Sequence, residues 1–164
     1  MEFEGKKAVV TPEAVFIIGT YDENGVPNAM NAAWGTQKDP DEVIIVLSKH
    51  KTTENFEKTG AFTLAFGTAD TVTISDFFGV TTGNKVNKIE KAGVHVHKSA
   101  HVNAPIIEEY PLTLECRVLY QQEQAPDEIP PEIRQRYYAR GTDAGDFHTA
   151  YIGQILSAYI LRAD

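Results

Sequence analysis

Residues 42–66 read EVIIVLSKHKTTENFEKTGAFTLAF, and this stretch decides the fold. Two short apolar runs, residues 42–48 and 61–66, have the β-branched and aromatic content of buried strands. Between them lies a polar segment in which Thr52 or Thr53 can start a helix and Gly60 can stop it. The result is strand, short helix, strand, with the helix too brief to serve as the crossover of a regular parallel βαβ unit.

Reading toward the amino terminus, residues 14–21 form another β-branched and aromatic run. Asp22-Glu23-Asn24-Gly25 then supplies the positive φ of a hairpin turn before the chain resumes at Val26. Toward the carboxyl terminus, residues 71–78 and 86–92 read as short helices around a loop at residues 79–83. Residues 112–121 and 149–161 are the longest strand candidates, and residues 124–145, with Pro126, Pro130 and Pro131, read as an insertion. Strands with only brief helical excursions point to a mainly β, antiparallel barrel. No repeat or linker divides the chain, so residues 1–164 are expected to form one domain.

The chain has 164 residues and a net charge of −8. An acidic surface repels nucleic-acid phosphates and anionic lipid, so nucleic acid is not an expected partner, and a phosphate-bearing ligand needs a local basic pocket. The apolar runs are far shorter than the roughly 20 residues of a membrane-spanning helix. The amino terminus lacks the basic start and apolar run of a secretory signal, and the single cysteine, Cys116, sits in an alternating strand-like stretch. A cytoplasmic protein is the expectation, with no membrane partner.

Three segments carry chemistry. In Ser48-Lys49-His50-Lys51-Thr52, a strand end, two lysines and two hydroxyls precede a helix start, whose unpaired N–H groups favour an anion such as a phosphate monoester. The same residues also suit a solvated basic turn with a threonine cap. In residues 27–34, PNAMNAAW, small residues alternate with Asn28, Met30 and Asn31 before Ala32, Ala33 and Trp34. Small side chains permit close approach of a flat ring that amides and an indole can flank, although Met30 and Trp34 would equally fill a core. In the third, Thr81-Thr82-Gly83-Asn84-Lys85 is a hydroxyl-rich loop that leads to Lys88. His95 and His97 alternate as on one strand face, but no carboxylate or cysteine stands at a supporting sequence spacing, so no metal is expected.

The blocks TYDENGVPNAMNAAW, VIIVLSKHKTTENFEKTGAFTLAF, SDFFGVTTGNKVNKIEKAG and APIIEEYPLTLECRV, in that order, resemble the flavin reductase-like, FMN-binding split-barrel family. The resemblance spans about residues 8–120 and a closing strand near residues 148–153, and is that of a flavoredoxin-like member. It implies a six-stranded antiparallel Greek-key split barrel with short flanking helices, forming a homodimer with FMN near the interface. It implies that Asn28 and Trp34 contact the flavin, that Met30, Asn31, Ala32 and Ala33 line its ring, and that Ser48, Lys51 and Thr52 hold its phosphate. Lys49, His50, Thr82 and Gly83 fall in the same blocks, Lys88 would reach the flavin or its phosphate, and His148 matches a histidine near the flavin. The implied activity is FMN-dependent oxidoreduction linked to NADH, NADPH or a partner protein; the alternative is an FMN-binding electron carrier or sensor without turnover. No side chain is assigned a catalytic role, because the flavin carries the chemistry.

Overall fold

The computed structural model describes residues 14–138 and 147–161. Strand β1 (Phe16–Tyr21) turns back through Asp22 to Gly25 into β2 (Pro27–Ala32). The Asp22 carboxylate accepts the N–H groups of Asn24 and Val26, both at 2.9 Å, and Gly25 takes the positive φ of 77° that the turn requires. The chain continues through β3 (Gly35–Asp39), β4 (Glu42–Ser48), α1 (Lys51–Thr59) and β5 (Ala61–Phe66). Helices α2 (Val72–Val80) and α3 (Lys88–Ala92) follow, then β6 (Val96–Lys98) and β7 (Pro105–Ile107). The long strands β8 (Leu112–Glu123) and β9 (His148–Ile160) flank α4 (Pro131–Tyr137).

Seven strands form one antiparallel sheet in the order β2-β1-β5-β8-β9-β4-β3, while β6 and β7 make a separate ribbon. The sheet curls on itself. Met30 from β2 and Leu47 from β4, near opposite ends of that order, share one buried cluster with Phe16, Ile18, Phe62 and Tyr151. A Cβ added at Gly35 in β3 would lie 2.9 Å from the Phe16 ring in β1. Among the described residues no ladder joins β2 to β3, so the barrel is split there. The fold is thus the mainly β split barrel that the sequence implies, with more strands than the expected six. The seventh is β3, GTQKD, whose polar and mostly exposed side chains lack the apolar alternation by which strands are recognised.

In β4 the side chains of Val43, Ile45 and Leu47 point inward and their neighbours outward, the period of two expected of a strand. By contrast β1 is buried on both faces: Phe16 and Ile18 fill the barrel, while Ile17 joins Phe78, Ile89 and Tyr110 in a second cluster under α2 and α3. A strand covered on both sides reads as a continuous apolar run. Helix α1 closes one end of the barrel through Phe56, which is fully buried with its ring 5.4 Å from Phe62 and 4.7 Å from Tyr151. Truncating such a ring to alanine costs about 3–5 kcal/mol.

Candidate functional site

The strand-to-helix corner between β4 and α1 faces the middle of β2 and the loop between α2 and α3. Helix α1 begins at Lys51, one residue ahead of the expected threonine. The reason is Thr53, whose hydroxyl accepts the His50 N–H at 2.9 Å and donates to the His50 carbonyl at 2.8 Å, closing the first turn around His50. This leaves Thr52 pointing at β2, where its hydroxyl oxygen accepts the Asn28 side-chain amide at 2.8 Å with both residues buried. Because that hydroxyl accepts from Asn28, its own proton remains to be donated.

Around this bond lies a cleft of two lobes that share Met30, Asn31 and His50. The first lobe, about 200 Å³, is walled by Asn28, Lys51, Thr52, Thr82, Gly83 and Lys88. Gly83 packs so closely that an added Cβ would stand 2.3 Å from Asn28 Oδ1, so the loop reaches β2 only with glycine there. The second lobe, about 250 Å³, is bounded by Ala32, Ala33, Trp34, Ser48 and His148. Ser48 Oγ stands 3.0 Å from His50 Nε2, and Trp34, 56% exposed, rests against His148 with ring centroids 5.0 Å apart.

Lys88 is the least solvated cation of the site, 3% exposed at the start of α3. Its ammonium donates to the Phe78 carbonyl at 2.9 Å and lies 6.0 Å from the Phe78 ring centre. Desolvation lowers its pKa to about 8. Neither lobe is lined by Asp or Glu. In a chain of net charge −8, a carboxylate-free cleft holding Lys51 and Lys88 suits an anion.

The structure brings the sequence-selected residues together at this cleft, apart from Lys49, which is exposed and lines neither lobe. It adds Phe78, Gly79 and Val80 from the end of α2, and Val46 from the outward face of β4. The α2 residues lie within the block SDFFGVTTGNK, but nothing in their type marks them as facing a ligand. Elsewhere, His95 pairs with Glu109 at 2.9 Å and His97 with Glu108 at 3.2 Å around the β6–β7 ribbon, carboxylates that sequence spacing does not suggest. Among the described residues no group of three or more His, Cys, Asp or Glu could hold a metal ion. Nor is any described helix long and apolar enough to cross a membrane.

Fold and site define an antiparallel split-barrel protein with a cationic cleft where strand β4 hands over to helix α1. The chain belongs to the flavin reductase like domain family, whose model matches residues 9–164. It is therefore a member of a flavin-linked, oxidoreductase-type family. Among solved structures it is similar to the flavoredoxin of Desulfovibrio vulgaris (Miyazaki F), at 25% identity and a TM-score of 0.79, covering 98% of this chain and 76% of that one. The flavoredoxin from Methanosarcina acetivorans shares the fold at 24% identity and a TM-score of 0.69, covering 94% and 75%. An FMN-binding domain of a flavin reductases-like enzyme from Shewanella baltica also shares it, at 21% identity and a TM-score of 0.68, covering 91% and 69%. No curated protein matches the chain.

Proposed function

We propose that the chain binds FMN in the two-lobed cleft and acts as an FMN-dependent oxidoreductase. The observation that carries this reading is the pairing of Lys51 with the buried Lys88 in a cleft that no carboxylate lines. Lys51, the Thr52 hydroxyl and the N–H groups of Lys51 and Thr52 at the start of α1 would hold the phosphate, the Thr53 N–H being engaged by the His50 side chain. Ser48 would serve from the adjoining lobe. The small residues Ala32 and Ala33, with Asn31 and Met30 beside them, leave room for a flat ring that Trp34 and His148 bound at its outer end. When bound, FMN supplies hydride or single-electron transfer, so the protein's part is position and electrostatics. Lys88 places a positive charge near the ligand, which favours any anionic form of it.

The electron donor in this reading is NADH, NADPH or a partner protein, and the chain is cytoplasmic and homodimeric. Exposed apolar side chains on the long strand pair, among them Tyr120, Leu156 and Ile160, support a second copy as partner. The second reading, an FMN-binding electron carrier or sensor, rests on the same cleft, because the residues that would bind FMN are also those that would serve turnover.

The test is the visible spectrum of the purified protein, identification of the chromophore released on denaturation, and anaerobic titration with NADH and NADPH. Stoichiometric FMN bleached by either nucleotide supports the oxidoreductase, and FMN that resists both supports the carrier or sensor. A colourless protein that also fails to take up added FMN refutes both.

A further inference from the structure

Between β8 and β9, residues 124–138 start beside His148 and end with Tyr138 against it. Gln124 donates its backbone N–H to the His148 carbonyl at 2.9 Å, and its side-chain oxygen accepts the His148 N–H at 2.8 Å. The same side chain donates from Nε2 to the Tyr138 hydroxyl at 3.2 Å. Tyr138, at the end of α4, stacks on Phe147 with ring centroids 5.3 Å apart and planes 10° from parallel. Its ring also stands edge-on to His148, at 6.1 Å and 78°. With Trp34 at 5.0 Å, the imidazole has two aromatic neighbours among the described residues, one from the barrel and one from the connection.

Of this set only Trp34 and His148 line the cleft; Gln124, Tyr138 and Phe147 do not. Strand pairing alone fixes the His148 backbone, through Ser48 on β4, but leaves its side chain a choice of rotamers. Aromatic contacts restrict that choice. We propose that the described start of the β8–β9 connection, residues 124–138, is a positioning arm. Gln124 and Tyr138 act through His148 rather than on a ligand, holding the imidazole against Trp34 and so shaping the outer end of the cleft. The role of FMN as the ligand shaped there rests on the preceding functional reading; the positioning itself does not.

Trp34 is the only tryptophan, so its emission reports the neighbouring imidazole directly. A protonated imidazole against an indole perturbs and quenches that emission. The experiment is a pH titration of Trp34 fluorescence in the full chain before FMN is added. His148→Gln identifies the part of the step owed to this residue, since His50 in the same lobe and Glu123 at the end of β8 are further ionisable side chains nearby. Gln124→Leu removes both side-chain hydrogen bonds, and Tyr138→Ala removes the ring; each should lose most of the His148 step. Gln124→Glu, whose carboxylate can accept from the His148 N–H and from the Tyr138 hydroxyl, should restore it.

A step unchanged in both Gln124→Leu and Tyr138→Ala overturns the positioning role, and so does a step that His148→Gln leaves intact. Should Tyr138→Ala fail to fold, Tyr138→Phe, which drops only the hydroxyl contact, and Gln124→Leu carry the test. With FMN added, the visible circular dichroism of the bound flavin should change in the two loosening variants while its Kd stays within about twofold, as expected of residues that touch no ligand. Unaltered dichroism refutes the link to the cleft. Failure of the unmodified protein to bind FMN refutes the functional reading, whereas the Trp34 titration still decides the arm.

Discussion

The side-chain amide of Asn28 in β2 donates to the Thr52 hydroxyl in α1 at 2.8 Å, joining two buried residues 24 positions apart. This bond fastens the strand that bounds the cleft to the helix whose first turn faces it. Thr52→Val should therefore leave a buried amide without an acceptor and cost about 1–3 kcal/mol, read as a lower denaturation midpoint in urea. Thr52→Ser, which keeps the hydroxyl, should retain most of the stability. Equal midpoints for Thr52→Val and the unmodified protein would show that the bond does not hold these elements together.

Lys51 enters the first lobe from the start of α1. Replacing it with alanine removes one charge-assisted hydrogen bond, so FMN binding should weaken by about 1.5–3 kcal/mol, roughly 10- to 150-fold. Calorimetric or fluorescence titration measures this, and an unchanged Kd rules out the phosphate role.

Lys88 makes the site sensitive to alkaline pH. Burial lowers its ammonium from the usual 10.5 to about 8. Between these values the unfolded chain keeps a proton that the folded chain has released, so this group makes stability rise with pH across that window. The burial penalty is fully present below pH 8 and fades toward 10.5. Lys88→Met should abolish that rise in the flavin-free protein, as measured by denaturation midpoints across the window. An anion prefers the ammonium form, so FMN affinity should fall once the pH passes about 8, and the variant should flatten that fall. A rise present in both proteins would assign it to another group.

Cys116 is fully buried in β8, and burial together with the Glu115 carboxylate pushes its thiol up to about 12. Thiol reagents at about pH 8 should leave the folded protein unmodified and label it only as it unfolds, because the thiolate is the reactive form. Rapid stoichiometric labelling under native conditions would contradict this packing.

Much of the barrel is legible in the sequence because its strands carry local signals. The runs at residues 42–48 and 61–66 match β4 and β5 end to end, and Asp22 with Gly25 marks the first hairpin. Gly60 ends α1 as expected, but the start of the helix is less legible, since the first turn is closed by Thr53 around His50 and not by a threonine cap at the helix start. The strands β3 and β7 carry no legible strand signal, and β6 shows only in the alternation of His95 and His97. β3 is polar and exposed, and the ribbon strands have only three residues each, too few for a period to register.

Residue type alone selected the candidate cleft, since lysines, hydroxyls, small residues and one tryptophan in ordered blocks carry both chemistry and family likeness. That much the sequence determined by itself. Which of them converge was decided by the tertiary structure, because convergence depends on pairings between segments distant along the chain. Lys49 and Lys51 look alike in sequence, yet the turn into α1 leaves the first exposed and aims the second into the cleft. The solvation of Lys88 and the approach of Tyr138 to His148 are of the same kind. A buried charge or a ring contact is a property of what packs around a residue, and only the closed barrel brings those neighbours together.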